Sequence, residues 1–222
     1  MRALVCHAPK DLRLEEQQPE VLGAQQLRIR VAFGGICGSD LHYFQHGGFG
    51  AVRLKEPMTL GHEVSGRIDE IGAEVTGFKL GQRIAISPSR PCGACQYCQK
   101  GQHNHCLNMR FYGSAMPFPH IQGAFRESLI IDASQAHAVA DDLPLSQAAL
   151  AEPLSVGLHA ITRAGSVFWQ TRVGHRLRPD WCFADSRAAP CGCCTHRGGG
   201  FGRFATGLRF ENGGERGGQS GE

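Results

Sequence analysis

Four cysteines lie close together in a polar loop of this chain. Cys92, Cys95 and Cys98 are separated by two residues each, and Cys106 follows after seven more. Four thiolates satisfy the tetrahedral preference of Zn²⁺, and a closed shell of four cysteines is typical of a structural site. An iron–sulfur cluster is the alternative, but the bacterial ferredoxin run closes after three residues and continues with proline. Unrelated core thiols rarely cluster in a polar loop. The spacing therefore predicts a structural zinc.

A second set of zinc-type ligands lies upstream. Cys37 is followed by His62 and Glu63, a mixed and incomplete set such as a catalytic zinc with an open position requires. A lone histidine is more often a core or surface residue. Here Gly66 and Gly72 follow at a spacing that lets another backbone approach closely, so we interpret the set as a catalytic zinc site.

Three further polar residues belong to the same hypothesis. Glu152 is an acid in an otherwise apolar stretch and needs a partner; zinc is one, and an N-cap role at the following helix is the alternative. Ser39 and His42 follow Cys37 closely. Without the ligands beside them, Ser39, Asp40 and His42 would indicate only helix capping and an exposed histidine.

The elements that position these residues are mostly strands. Clean apolar alternation predicts a strand over 27–33. Residues 2–7, 12–16, 64–71 and 127–131 also read as strands, and 81–86 as a turn and strand. Residues 36–44 fit a loop entering a short helix, and 47–50 read as loop. Residues 145–164 have helical spacing, which we expect to break at Pro153. The fold class is thus mainly β with some α, most simply a small, partly open barrel with loop insertions.

Composition divides the chain in two. Residues 1–166 carry fifteen basic and fifteen acidic side chains, so the formal charge of +3 comes from residues 167–222. That tail holds eight Arg, twelve Gly and no Lys, and it cannot bury enough apolar surface to offset chain entropy. We expect it to be disordered.

Charge and cysteine content limit the partners. A charge of +3 is too small to indicate nucleic acid, and there is neither an apolar run long enough for a membrane span nor a secretory signal. Ten cysteines in a chain of 222 residues, four of them at metal spacing, favour a reducing cytoplasm over a secreted disulfide scaffold.

The motifs resemble those of a known family. The run Gly61-His62-Glu63-x2-Gly66-x5-Gly72-x2-Val75 matches the zinc signature of the medium-chain dehydrogenase/reductases, and Cys37–Asp40 and the cysteine loop match the same family. Residues 38–43 and 151–154 resemble its polyol dehydrogenase branch. Residues 109–116 with 118–120 are most similar to the L-idonate 5-dehydrogenase type. The resemblance covers about residues 1–166, and quinone reductase relatives are disfavoured because they typically lack both zinc sets.

This resemblance implies a GroES-like catalytic domain over 1–166 and a set of roles. Cys37, His62 and Glu63 would hold the catalytic zinc, with Glu152 as a fourth or water-mediated ligand. Ser39 would take the proton of the bound alcohol, and His42 would continue the relay. Tyr43 would line the pocket for a small-molecule polyol or sugar acid. The hydride acceptor would be NAD or NADP, and members are commonly homotetramers.

The family also uses a dinucleotide-binding Rossmann domain, and no G-x-G-x-x-G follows a strand here. We hypothesise that residues 167–222 are read out of frame, because codons for residues 172–181 can be chosen that give such a fingerprint when shifted by one nucleotide. A genuine Arg/Gly tail that touches RNA is the alternative. We therefore expect an oxidoreductase by descent whose chain is inactive alone and not tetrameric; a non-catalytic, zinc-stabilised binding module is the competing class.

Overall fold

The computed structural model describes residues 1–165. The expectations for 167–222, disorder and a shifted frame, lie outside the described residues. The strands are β1 (Arg2–Ala8), β2 (Asp11–Glu16), β3 (Gln26–Gly35), β4 (Gly48–Phe49), β5 (Val52–Arg53), β6 (Met58–Thr59), β7 (Glu63–Ile71), β8 (Arg83–Ile86), β9 (Ser89–Arg90), β10 (Arg110–Phe111), β11 (Ser128–Asp132) and β12 (Ala136–Ala138). The α-helices are α1 (Gly38–His46), α2 (Gln96–Gln99), α3 (Leu145–Ala148) and α4 (Ala151–Ala164).

Two open sheets form the body of residues 1–165, which confirms a mainly β fold with few helices; within these residues the sheets do not close into a barrel. One sheet has the strand order β11-β3-β7-β8-β12, and the other has the order β2-β1-β6. Residues 124–127 join them, because the N–H of Leu4 bonds the carbonyl of Phe125 at 2.8 Å and the N–H of Val31 bonds the carbonyl of Glu127 at 3.0 Å. The chain thus passes from one sheet edge directly into β11.

Strand β3 organises the larger sheet. Its alternation was predicted from the sequence, and Leu27, Ile29 and Val31 are indeed buried in one core cluster. Strand β7 pairs with β3 along most of its length. Gly66 permits this pairing, since a Cβ there would lie 2.4 Å from the carbonyl oxygen of Arg30. The close backbone approach expected from the glycine spacing is therefore present.

Two local expectations were wrong. Residues 47–50 are not only loop, because Gly48–Phe49 pairs with Val52–Arg53 in a two-residue ribbon. The helical stretch does not break at Pro153 but between α3 and α4. Pro153 lies in the first turn of α4, where a backbone N–H has no intrahelical partner to lose.

None of the helices within residues 1–165 is long and apolar enough to cross a bilayer.

Candidate metal centres

The four cysteines of the loop converge as predicted. The sulfur atoms of Cys92, Cys95, Cys98 and Cys106 all lie within 4.8 Å of one another. Sulfurs bound to one tetrahedral zinc at about 2.3 Å are about 3.8 Å apart, so this spacing is compatible with a single metal ion. We call it the four-cysteine group, and it fits a structural zinc.

Backbone N–H groups lower the pKa of two of these thiols and so favour the thiolate form that binds a metal. The N–H groups of Cys98 and Leu107 lower the pKa of Cys95 to about 6, and those of Ala94 and Cys95 lower the pKa of Cys92. Burial, followed by the neighbouring Cys95 and Cys106, raises the pKa of Cys98 to about 12. Without metal the group therefore holds both ionised and protonated sulfur, and a metal would have to displace protons.

The second set also assembles. The ligand atoms of Cys37, His62 and Glu63 lie within 4.8 Å of one another. His62 and Glu63 are buried, whereas Cys37 is half-buried. We call this the Cys-His-Glu group. Three protein ligands of mixed type fit a catalytic zinc, which keeps one position for water or substrate.

The three ligands of this group come from two elements that are far apart in sequence. Cys37 is the N-cap of α1, His62 directly precedes β7, and Glu63 begins it. Gly35 pairs with Glu63 across the β3–β7 ladder, and a Cβ on Gly35 would lie 2.2 Å from the Glu63 carboxylate. The glycine at the end of β3 therefore makes room for the acid.

Asp40 ties the group together, a role that the sequence suggested only as helix capping. One carboxylate oxygen accepts the N–H of Cys37 at 2.9 Å, and the other accepts the N–H of Gly61 at 3.0 Å. The same side chain lies 4.0 Å from the Nδ1 atom of His62. Burial raises the pKa of the Asp40 carboxyl, opposed by His62 and the two N–H groups.

The chemistry of His62 supports a metal. Its Nδ1 atom is buried and has no hydrogen-bond partner among the described residues, yet it points to the side where Asp40 lies. A metal-bound histidine usually donates its second ring N–H to a carboxylate, and the Asp40 carboxylate lies 4.0 Å from Nδ1, beyond hydrogen-bond distance but on that side. The residues present therefore fit a zinc ion held by Cys37, His62 and Glu63.

Ser39 and His42 both lie on α1, and Ser39 follows Cys37 by two residues. Burial raises the pKa of the Cys37 thiol, and the hydroxyl and backbone N–H of Ser39 oppose this rise. His42 is half-buried, and its ring packs between His46, at 6.1 Å, and Phe49, at 6.0 Å between centroids. Their proton-relay roles stay predictions.

Tyr43 and Glu152 occupy less direct positions. Tyr43 is only 2% exposed, and its hydroxyl accepts the N–H of Ala115 at 3.0 Å, so contact with a polyol stays a prediction. Glu152 is half-buried in the first turn of α4, whose N-cap is Leu150, and it is not part of the Cys-His-Glu group. Its place as a zinc ligand stays a prediction.

Residues 111–113 cover one side of this group; the sequence analysis used them only for the family resemblance and missed these contacts. The ring of Phe111 packs 5.3 Å from that of His62, and a Cβ on Gly113 would lie 3.2 Å from the backbone of Gly61. These contacts join residues about fifty apart in sequence, and no local pattern marks them.

Residues 23–141 match the family model described as the alcohol dehydrogenase GroES-like domain. The chain is similar to L-idonate 5-dehydrogenase (NAD(P)(+)) of Escherichia coli K12, with 45% identity over 142 residues that cover 63% of this chain and 40% of the relative. It is 36% identical to sorbitol dehydrogenase of Bacillus subtilis over 163 residues, which cover 73% of this chain and 45% of that protein. This chain thus spans less than half the length of these curated relatives.

Solved structures agree. The crystal structure of L-idonate 5-dehydrogenase from Escherichia coli superposes with a TM-score of 0.70 at 39% identity, covering 74% of this chain and 46% of that one. That of 2R,3R-butanediol dehydrogenase from Bacillus subtilis gives 0.62 at 31% identity, covering 72% and 46%. The residues that match the family model, 23–141, include both metal centres.

Proposed function

Because this chain belongs to the alcohol dehydrogenase GroES-like domain family, we propose that it carries the metal half of a zinc-dependent dehydrogenase that oxidises a secondary hydroxyl of a polyol or sugar acid. L-Idonate is the preferred substrate in this proposal, by similarity to the relative of that name. NAD or NADP is the proposed hydride acceptor. The observation that carries the proposal is the Cys-His-Glu group, with its three ligand atoms within 4.8 Å.

When bound, zinc supplies Lewis acidity that lowers the pKa of a coordinated hydroxyl. The chain's own residues do the rest. Ser39, whose hydroxyl lowers the pKa of the neighbouring Cys37 thiol, is proposed to accept the hydroxyl proton of the bound alcohol. His42, one helical turn further along α1, is proposed to pass the proton outward. Asp40 holds the backbone of Cys37 and Gly61 in place.

Residues 1–165 supply the ligands and the relay, while hydride transfer also needs a nicotinamide positioned against the site. We therefore propose that this chain alone binds zinc but oxidises no polyol. The reduced thiols of both groups need a reducing compartment, so a cytoplasmic location remains part of the proposal.

Cobalt substitution tests the proposal without requiring turnover. Co²⁺ in a thiolate-imidazole site absorbs visible light, and its spectrum changes when an oxygen ligand enters. We expect L-idonate and sorbitol to shift the spectrum of the cobalt-loaded chain, L-idonate at lower concentration, and His62→Ala to abolish the shift. A spectrum that neither compound alters would favour the non-catalytic binding module.

A further inference from the structure

Residues 115–120 form a short tip that follows residues 111–113, which pack against His62 and Gly61. Ser114 and Ile121 pair through two backbone hydrogen bonds of 3.2 and 3.0 Å, which close residues 115–120 into a loop. At its start, the N–H of Ala115 bonds the Tyr43 hydroxyl. Met116 and Phe118 on this tip are 78% and 65% exposed. The tip therefore begins beside the candidate site and presents apolar surface to solvent.

His120 anchors the other end of the tip. It is only 5% exposed and makes three hydrogen bonds. Its Nε2 atom accepts the N–H of Lys55 at 2.8 Å, its Nδ1 atom bonds the carbonyl oxygen of Pro117 at 2.9 Å, and its backbone N–H bonds a Glu56 carboxylate oxygen at 2.6 Å. The imidazole thus joins the tip to the segment that precedes β6.

These partners determine the protonation state of the ring. A backbone N–H can only donate, so Nε2 must be unprotonated, and a carbonyl can only accept, so Nδ1 must carry the proton. His120 is therefore neutral in this arrangement. A proton on Nε2 would place two N–H groups face to face and would leave the Lys55 N–H without its acceptor.

We propose that neutral His120 is a positioning residue that fixes the 115–120 tip as an apolar rim of the substrate cleft. This inference rests on the proposed function only for the identity of the cleft. The ring of Phe118 packs edge-on against His120 at 5.8 Å between centroids, so the anchor also orients one of the two exposed apolar side chains. Loss of the anchor frees the rim and weakens binding of a polyol at the adjacent metal.

The charged groups that face His120 are those of the segment before β6. The Glu56 carboxylate accepts its backbone N–H, and Lys55 contributes its backbone while its side chain is exposed. Glu56→Gln keeps an acceptor oxygen for the His120 N–H and removes the negative charge. It therefore separates the role of the Glu56 charge from that of the imidazole.

Amide hydrogen exchange of the zinc-loaded, full-length chain tests the anchor. At one pH at which zinc stays bound, we expect the Lys55 amide to exchange about fivefold to tenfold faster in His120→Ala than in wild type, as for a lost hydrogen bond. His120→Gln, which retains an acceptor, should keep most of the wild-type protection of Lys55.

Two controls accompany these variants. Glu56→Gln and His137→Gln, the second at an exposed histidine on β12, should keep the wild-type protection of Lys55. Wild-type protection of Lys55 in His120→Ala would overturn the anchor.

The role of the tip as a rim is tested separately, by sorbitol binding. In the cobalt-loaded chain, His120→Ala should need about fivefold to tenfold more sorbitol for the same spectral shift, whereas His120→Gln should resemble wild type. An unchanged sorbitol requirement in His120→Ala would overturn the rim role. If wild type shows no shift at all, the proposed function fails, while the exchange experiment still decides the anchor.

Discussion

The two metal centres are built in opposite ways. The four-cysteine group draws all its ligands from residues 92–106, in a loop with one short helix and a 3-10 turn. The Cys-His-Glu group draws its ligands from the start of α1 and from β7, and its supports from β3 and from Phe111. The first can be organised by its metal, whereas the second is organised by the sheet.

This contrast makes separable predictions, because damage to one centre should spare the other. The largest effect is expected where the metal itself provides the order.

Cys98→Ser should remove the metal from the four-cysteine group and disorder residues 92–106. Structural zinc contributes about 10–16 kcal/mol to the folding of small zinc peptides, so we expect a loss of several kcal/mol within this loop. Hydrogen exchange should show lost protection there and retained protection in β3 and β7. Cys6→Ala, at a buried thiol outside both groups, is the matched control and should keep all bound zinc. Full protection of the loop in Cys98→Ser would contradict this account.

Gly66→Ala should act on the other centre through the sheet. Its Cβ would lie 2.4 Å from the carbonyl oxygen of Arg30, and relieving such overpacking costs about 1–3 kcal/mol. We expect a lower urea midpoint and weaker metal binding at the Cys-His-Glu group. Gly38→Ala, where a Cβ meets nothing within 4 Å, should be nearly neutral or slightly stabilising. Equal urea midpoints for Gly66→Ala and Gly38→Ala would contradict the close pairing of β3 and β7 at Gly66.

Asp40→Asn should weaken metal binding without unfolding the protein. An amide has one acceptor oxygen, so it cannot serve the N–H groups of both Cys37 and Gly61. Loss of such supporting contacts typically lowers metal affinity about 10-fold to 100-fold. Competition with a chromophoric chelator would measure it, with Asp69→Asn on the exposed face of β7 as control. If Asp40→Asn binds metal as tightly as wild type, Asp40 does not support the Cys-His-Glu group.

The smallest expected effect is the release of protons when zinc binds to the four-cysteine group. Because the pKa of Cys98 is about 12, its thiol is protonated at neutral pH, whereas Cys95, with a pKa of about 6, is mostly ionised. Zinc should therefore displace at least about one proton from the four-cysteine group, and affinity should rise with pH. Calorimetry of Cys37→Ser in two buffers of different ionisation enthalpy would measure this release. Identical heats in both buffers would contradict it.

The same contrast explains what the sequence could predict. The spacing of Cys92 to Cys106 is local and chemically specific, and the alternation over β3 is strong, so both were predicted from residue types alone. The break predicted at Pro153 was wrong because the sequence alone does not distinguish a proline in the first turn of a helix from one that ends a helix. Gly35, Asp40 and His120 act through partners far away in sequence, and their roles emerge only when the sheets are assembled.

The central claim is that one chain holds two independent zinc sites, one closed and one open. Elemental analysis of the purified chain and two variants tests it directly. We expect about two zinc ions per wild-type chain and about one in each of His62→Ala and Cys98→Ser, with only Cys98→Ser losing order in residues 92–106. A wild-type chain that retains one zinc, unaffected by His62→Ala, would contradict the open site and the proposed dehydrogenase chemistry with it.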